Sequence, residues 1–179
     1  MTSRRLVVLV FAVCAVGCKH KSEPEKTPAS VRGPTFTIPI PDGYHRFLDP
    51  EVIKRVKDGV MLMADRRVVP KAFLGSIVVI RANGRDDSST SEAKCKQTVH
   101  QLAQFHVVAD SAAMVELRGE KRCQWRAHEP APSKVHVIST VMARSLKEVW
   151  VVTCNYDARD KRAVPACQRV LDQFKFDAM

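Results

Sequence analysis

The residues able to do chemistry in this chain are abundant, but they are not spaced for catalysis. His20, His45, His100, His106, His128 and His136 include no H-x-x-x-H or H-E-x-x-H pair that would bring two imidazoles onto one metal. His100 and His106 lie six apart and fall on different faces of a helix, and His106 continues an apolar stripe, which suits a half-buried structural histidine. Ser76 follows Gly75, yet no G-x-S-x-G elbow surrounds it. Ser88, Ser89 and Ser91 suit turns and helix caps, and Asp86-Asp87 suit the electropositive start of a helix better than acid–base work. The spacing therefore predicts no catalytic residue, no metal and no cofactor. The remaining chemistry is cationic. Arg122, Arg126 and Arg144, with His128 and His136, are expected on the outer faces of neighbouring strands. A stripe of this kind could receive an anionic partner.

The N-terminus has a different chemistry. Arg4 and Arg5 precede an apolar run from Leu6 to Val16, and the small Gly17 precedes Cys18, the order of a secretory signal. An apolar run of this length rises only about 16 Å as a helix, half the hydrocarbon core of a bilayer. Ala15-Val16-Gly17-Cys18 resembles the lipobox of bacterial lipoproteins, with Ala15 where that group usually has Leu. The resemblance implies cleavage before Cys18 and acylation of its thiol. Several acyl chains anchor a protein stably, whereas one does so only marginally. Lys19 after the lipidated residue points, by the habit of enteric lipoproteins, to the outer membrane rather than the inner.

Removing residues 1–17 leaves 162, enough for one domain with a sizeable core, and lowers the formal charge from +10 to +8 as Arg4 and Arg5 leave. A basic exported protein dwells near anionic headgroups or acidic envelope polymers. Nucleic acid is not an expected partner for such a chain. Residues 18–34 form the lipidated cysteine and a tether. Charges, Ser, Thr and three prolines surround a single large aliphatic residue, Val31, which is too little apolar area to fold alone. As a flexible coil that tether reaches roughly 20–25 Å.

The folded domain is expected over residues 35–179. Phe36, Ile38 and Ile40 alternate as a half-buried strand, with Pro39 marking an edge, and Pro41-Asp42-Gly43 is a turn signal. A short helix runs from Asp49 or Pro50 to Val56, and strands are expected at Val60 to Asp65 and Phe73 to Arg81. Ser89 and Glu92 form a capping-box pattern. Cys95, Val99, Leu102 and His106 then share one helical face. Strands follow at Met114 to Leu117, Lys121 to Ala127, Lys134 to Ala143 and Lys147 to Asn155. The last helix spans Val164 to Phe174, with Cys167, Val170, Leu171 and Phe174 on its apolar stripe. Trp125 and Trp150 are expected as core anchors.

Four cysteines remain after Cys14 leaves with the signal and Cys18 takes lipid, an even number suited to two disulfides in an oxidising compartment. None has C-x-x-C spacing. Cys95 lies on the buried face of the middle helix, and Cys123 shares the Trp125 face of its strand. Cys154 ends a strand, and Cys167 faces inward from the next helix. The periodicities pair Cys95 with Cys123 and Cys154 with Cys167.

The segments Phe36-Thr-Ile-Pro-Ile-Pro-Asp-Gly-Tyr44, Val149-Trp-Val-Val-Thr-Cys154 and Val170-Leu-Asp-Gln-Phe-Lys-Phe176, in that order around a middle helix, resemble the PsbP-like group. That group includes a Ran-binding nuclear transport factor and bacterial lipoproteins of the DcrB type. The resemblance implies an α+β fold, an α/β/α sandwich around a mainly antiparallel sheet with two main helices. It also implies a function by partner binding, with no shared catalytic residues to transfer. The expected function is a non-enzymatic envelope lipoprotein, acting near the membrane on a protein or an anionic envelope partner. A secreted hydrolase or thiol redox enzyme and a structural subunit of an envelope complex are the competing readings.

Overall fold

Strands that alternate along their length must hide one face, and here the central strands of the large sheet hide most of both. In a computed structural model, residues 30–56, 59–65, 75–82, 91–102 and 108–178 are described. The elements in chain order are β1 (Ser30–Arg32), β2 (Phe36–Pro39), β3 (Tyr44–Arg46), α1 (Pro50–Val56), β4 (Val60–Ala64), β5 (Ser76–Arg81) and α2 (Glu92–Leu102). β6 (Val108–Leu117), β7 (Glu120–His128), β8 (Val135–Ala143), β9 (Val149–Asp157), α3 (Ala163–Gln173) and β10 (Lys175–Phe176) follow. The large sheet has the order β3-β4-β5-β9-β8-β7-β6 and every neighbouring pair is antiparallel. A smaller sheet, β1-β2-β10, is also antiparallel.

The register fixes which element covers which face. Cross-strand partners share a face and successive residues alternate. Trp125, Ser139 and Thr153 are partners along one row, and Arg126, Ile138, Cys154 and Ile77 along the next. Cys123 therefore lies on the face opposite Cys154. Cys95 of α2 is bonded to Cys123, and Cys167 of α3 to Cys154, so the two helices flank the sheet from opposite sides. This is the expected sandwich. On the α3 side the small sheet adds cover: Phe36 stacks on Phe174 at 5.1 Å and meets Trp150 edge-on at 4.7 Å. Such ring pairs add about 0.5–1.5 kcal/mol beyond their burial.

Several boundaries differ from the sequence expectation. β1 lies inside the stretch read as tether, because Val31 pairs with Ile38 and is buried. One apolar residue suffices when a partner strand is present. The middle helix is capped by Ser91, whose Oγ accepts from the Lys94 N–H at 3.2 Å. Glu92 pairs with Lys96 at 2.6 Å, and Ser89, the other half of the expected capping box, lies outside the described residues. β6 starts six residues earlier than expected, because a bulge at Asp110 breaks the alternation that would have revealed it. Trp150 is buried, but Trp125 is only half-buried and anchors no core cluster. Residues 1–29 lie outside the described residues, so the signal, Cys18 and most of the tether do too. Arg66, Arg67, Lys71, Asp86, Asp87, Ser88, Ser89 and His106 also lie outside them.

Candidate binding surface

The helices leave part of the sheet open. α3 packs on β9 and β2, while α2 packs on β6 and β7 from the other side. On the α3 side, β6 and β7 thus extend past the helix, and their side chains meet solvent. Four successive positions of β7 on this face are Arg122, Gln124, Arg126 and His128, the alternation read from sequence.

The three arginines expected there have different surroundings. Arg122 is half-buried. Its Nη1 donates to the Ala143 carbonyl at 2.7 Å and its Nη2 pairs with Glu120. Burial lowers its pKa from the ordinary guanidinium value. Arg144 follows the end of β8 and lies 3.9 Å from Glu148, with a mostly covered side chain. Arg126 is exposed, opposite Ser111 and Ile138, and makes no hydrogen bond or ion pair among the described residues.

Beside Arg126 stand His128 and His136, grouped with it from sequence, and two residues that sequence did not add, Tyr156 and Asp110. His128 and His136 are cross-strand partners, as are His136 and Tyr156. Their rings form a row across β7, β8 and β9 with centroids 5.9 Å and 5.9 Å apart. The bulge residue Asp110 reaches back to His128, Oδ1 to Nδ1 at 2.6 Å. Burial raises the Tyr156 phenol above its ordinary pKa, with Arg126 lowering it and Asp110 raising it again. Those opposed charges place both groups within electrostatic reach of the phenol. Tyr156 escaped the sequence reading because its place in the row depends on the register between β8 and β9. The signal was the parity of His128, His136 and Tyr156 on consecutive strands.

Other candidates resolve into structure. Ser76 is buried and accepts from Asn155 Nδ2 at 3.2 Å. Tyr44 is pushed up to about 12, first by burial, then by Asp160, with Arg162 opposing. Asp157 is lowered to about 2, chiefly by hydrogen bonding to Arg159, whose Nε donates at 2.8 Å. Both disulfides form, Cys95–Cys123 with Cα atoms 5.4 Å apart and Cys154–Cys167 at 6.0 Å. All four cysteines are at most 2% exposed, which keeps the sulfurs from attacking thiols. Among the described residues, no group of three or more His, Cys, Asp or Glu could hold a metal, and no helix is long and apolar enough to cross a membrane.

No family model matches the chain, and no curated protein sequence matches it. Solved structures do. The Ran-binding protein Mog1p of Saccharomyces cerevisiae aligns with a TM-score of 0.56 at 16% identity, covering 79% of this chain and 90% of that one. LpqN of Mycobacterium tuberculosis, described as involved in cell envelope biogenesis, aligns at 0.53 and 16%, covering 87% of this chain and 100% of that one. The cyanobacterial PsbP of Synechocystis sp. PCC 6803 aligns at 0.51 and 11%, covering 90% and 98%. At such identities the likeness is one of architecture. The antiparallel sheet flanked by α2 and α3 is the PsbP-like α+β fold that these three proteins share.

Proposed function

We propose that this chain is an exported lipoprotein, anchored through Cys18, whose PsbP-like domain works in the cell envelope by binding a partner and not by catalysis. The observation that carries the reading is the pair of buried disulfides, Cys95–Cys123 and Cys154–Cys167, because such bridges persist in oxidising compartments. The signal-like opening and the small residues before Cys18 supply the route to that compartment. The fold it shares with LpqN, a protein of envelope biogenesis, and with the Ran-binding Mog1p is compatible with a binding role in that setting.

Eleven residues separate Cys18 from Ser30, the first residue of β1. Even fully extended they hold the domain within about 40 Å of the lipid. The partner is therefore a component of the membrane surface or of the envelope layer beside it. Lys19 favours the outer membrane, which density-gradient separation of the two membranes would test.

The deciding experiment is Cys18→Ala in the native host. The variant is expected in the soluble fraction. Wild type is expected to sediment with membranes through a carbonate wash and to carry a mass increment at an N-terminal cysteine. Retention of the variant on washed membranes would remove the anchor from the account.

A further inference from the structure

We propose that the open face of β6, β7, β8 and β9 is a docking site for an acidic peptide segment of a protein partner. Arg126 holds a carboxylate, and the ring row His128–His136–Tyr156 supports the peptide. The inference builds on the reading of the domain as a binding module, and it names the chemistry of what is bound.

The first argument is charge. Arg126 is an exposed guanidinium with no acid of its own among the described residues. The nearby carboxylate, Asp110, is directed to His128 at 2.6 Å, and no ion pair joins it to Arg126 among the described residues. Glu129, the next acid along, is engaged with the Ser133 hydroxyl. Ser111, the exposed cross-strand partner of Arg126, places a hydroxyl donor beside the guanidinium. A guanidinium recognises carboxylates and phosphates in a planar, two-pronged fashion, so charge alone admits both.

The second argument decides between them. The rings of His128, His136 and Tyr156 form a row of at most about 12 Å across three strands. That is the length of three to four residues of extended chain at about 3.3 Å each. Rings present apolar bodies with polar edges, which suit peptide planes and aliphatic side chains. A polyphosphate has no apolar surface to lay on them and would leave the row uncovered. An unpaired arginine at the side of such a row matches a segment with an acidic residue next to an apolar one.

The test is fluorescence anisotropy on the full-length protein in detergent, with a labelled peptide alternating aspartate and valine as the probe. Unlabelled polyphosphate of matched charge serves as competitor. Wild type is expected to bind the peptide. Arg126→Ala is expected to weaken binding about tenfold or more, the loss of one charge-assisted contact. Lys121→Ala, which removes one charge from the opposite face of β7, is expected to leave it unchanged. Tyr156→Ala is expected to weaken binding with the arginine intact. Arg126 is exposed, so circular dichroism and thermal melting of its variant are expected to match wild type. Equal loss in Arg126→Ala and Lys121→Ala, or no loss in either, would overturn the proposal. So would displacement of the peptide by polyphosphate at equal charge. None of these outcomes bears on Cys18, so this proposal and the anchor stand or fall separately.

Discussion

Arg118 reaches from the tip of the β6–β7 hairpin to the end of α3, where its Nη1 donates to the Phe174 carbonyl at 2.9 Å. The last carbonyls of a helix lack intrahelical donors and carry partial negative charge, so a cation there is doubly favourable. The reach has a backbone cost. Arg118 has φ 55°, the left-handed region, and Gly119 follows at φ 79°, as a two-residue hairpin turn requires. Two variants separate the terms. Arg118→Ala keeps the strain and loses the contact, a loss of about 1 kcal/mol. Arg118→Gly loses the contact but relieves the strain, and is expected to be the more stable of the two by about 1 kcal/mol. Urea unfolding of both variants measures this, and equal midpoints would mean that the turn is not strained.

Gly59 and Gly119 need their missing side chains for different reasons. A Cβ on Gly119 would meet nothing within 4 Å, so Gly119→Ala reads backbone conformation alone, at about 1 kcal/mol. A Cβ on Gly59 would sit 2.1 Å from the Val79 carbonyl oxygen, which belongs to the backbone of β5 and cannot swing away. Gly59→Ala is expected to cost roughly 3 kcal/mol or more, or to abolish soluble expression. Thermal melts of the pair check the ranking, and a milder effect at Gly59 would place β4 and β5 further apart than described.

The two disulfides tie each helix to its own face of the sheet. The Cys154–Cys167 bridge closes 13 residues and Cys95–Cys123 closes 28. In the chain-entropy picture these stabilise by about 3 and about 3.5 kcal/mol. Double alanine variants of each pair are expected to lose those amounts in chemical denaturation. Because all four cysteines are buried, dithiothreitol is expected to reduce neither bridge until denaturant is added. Rapid labelling of two thiols in the folded, reductant-treated protein would instead mark one bridge as labile and reopen a redox role.

Much of this architecture is written in periodicity. Cys167, Val170 and Leu171 recur at helical spacing and do face the sheet from α3. Cys123 and Ala127 fall on one parity of β7 and both are buried. Such patterns carry facing direction, and facing direction was enough to pair the cysteines. Depth is not carried in the same way. Arg122 and Arg126 have the same parity, yet one is half-covered and bonded to Ala143 while the other is open. What distinguishes them is a partner remote in sequence, the Ala143 carbonyl at the end of β8, which Arg122 reaches. The strand status of Val31 depends likewise on finding Ile38, and the ring row on the registers of three strands. Pattern within one segment cannot give the offset between segments.

Acid should unfold this protein partly through Asp157. Its Oδ1 accepts from the Arg159 backbone N–H at 2.9 Å and from Arg159 Nε at 2.8 Å, and its Oδ2 meets Arg159 Nη2 at 2.5 Å. Those bonds favour the ionised form and hold the carboxyl down to about 2, against about 3.9 in an unfolded chain. The folded value is the lower one, so the unfolded state binds the proton more readily. The contribution is therefore fully present above about pH 4 and is lost as pH falls from there through about 2. Asp157→Asn, an isosteric change, removes the charge and so the slope. Urea unfolding between about pH 2 and about pH 6 is expected to show wild type the more stable at the upper end, with the gap narrowing below about pH 4. The same turn leads from β9 into α3, inside the loop that Cys154–Cys167 closes, so the bridge limits how far an unpaired Asp157 can let the helix drift. Loss of the narrowing, with wild type and variant running parallel across the whole range, would show that the Arg159 contact does not distinguish the folded from the unfolded carboxyl.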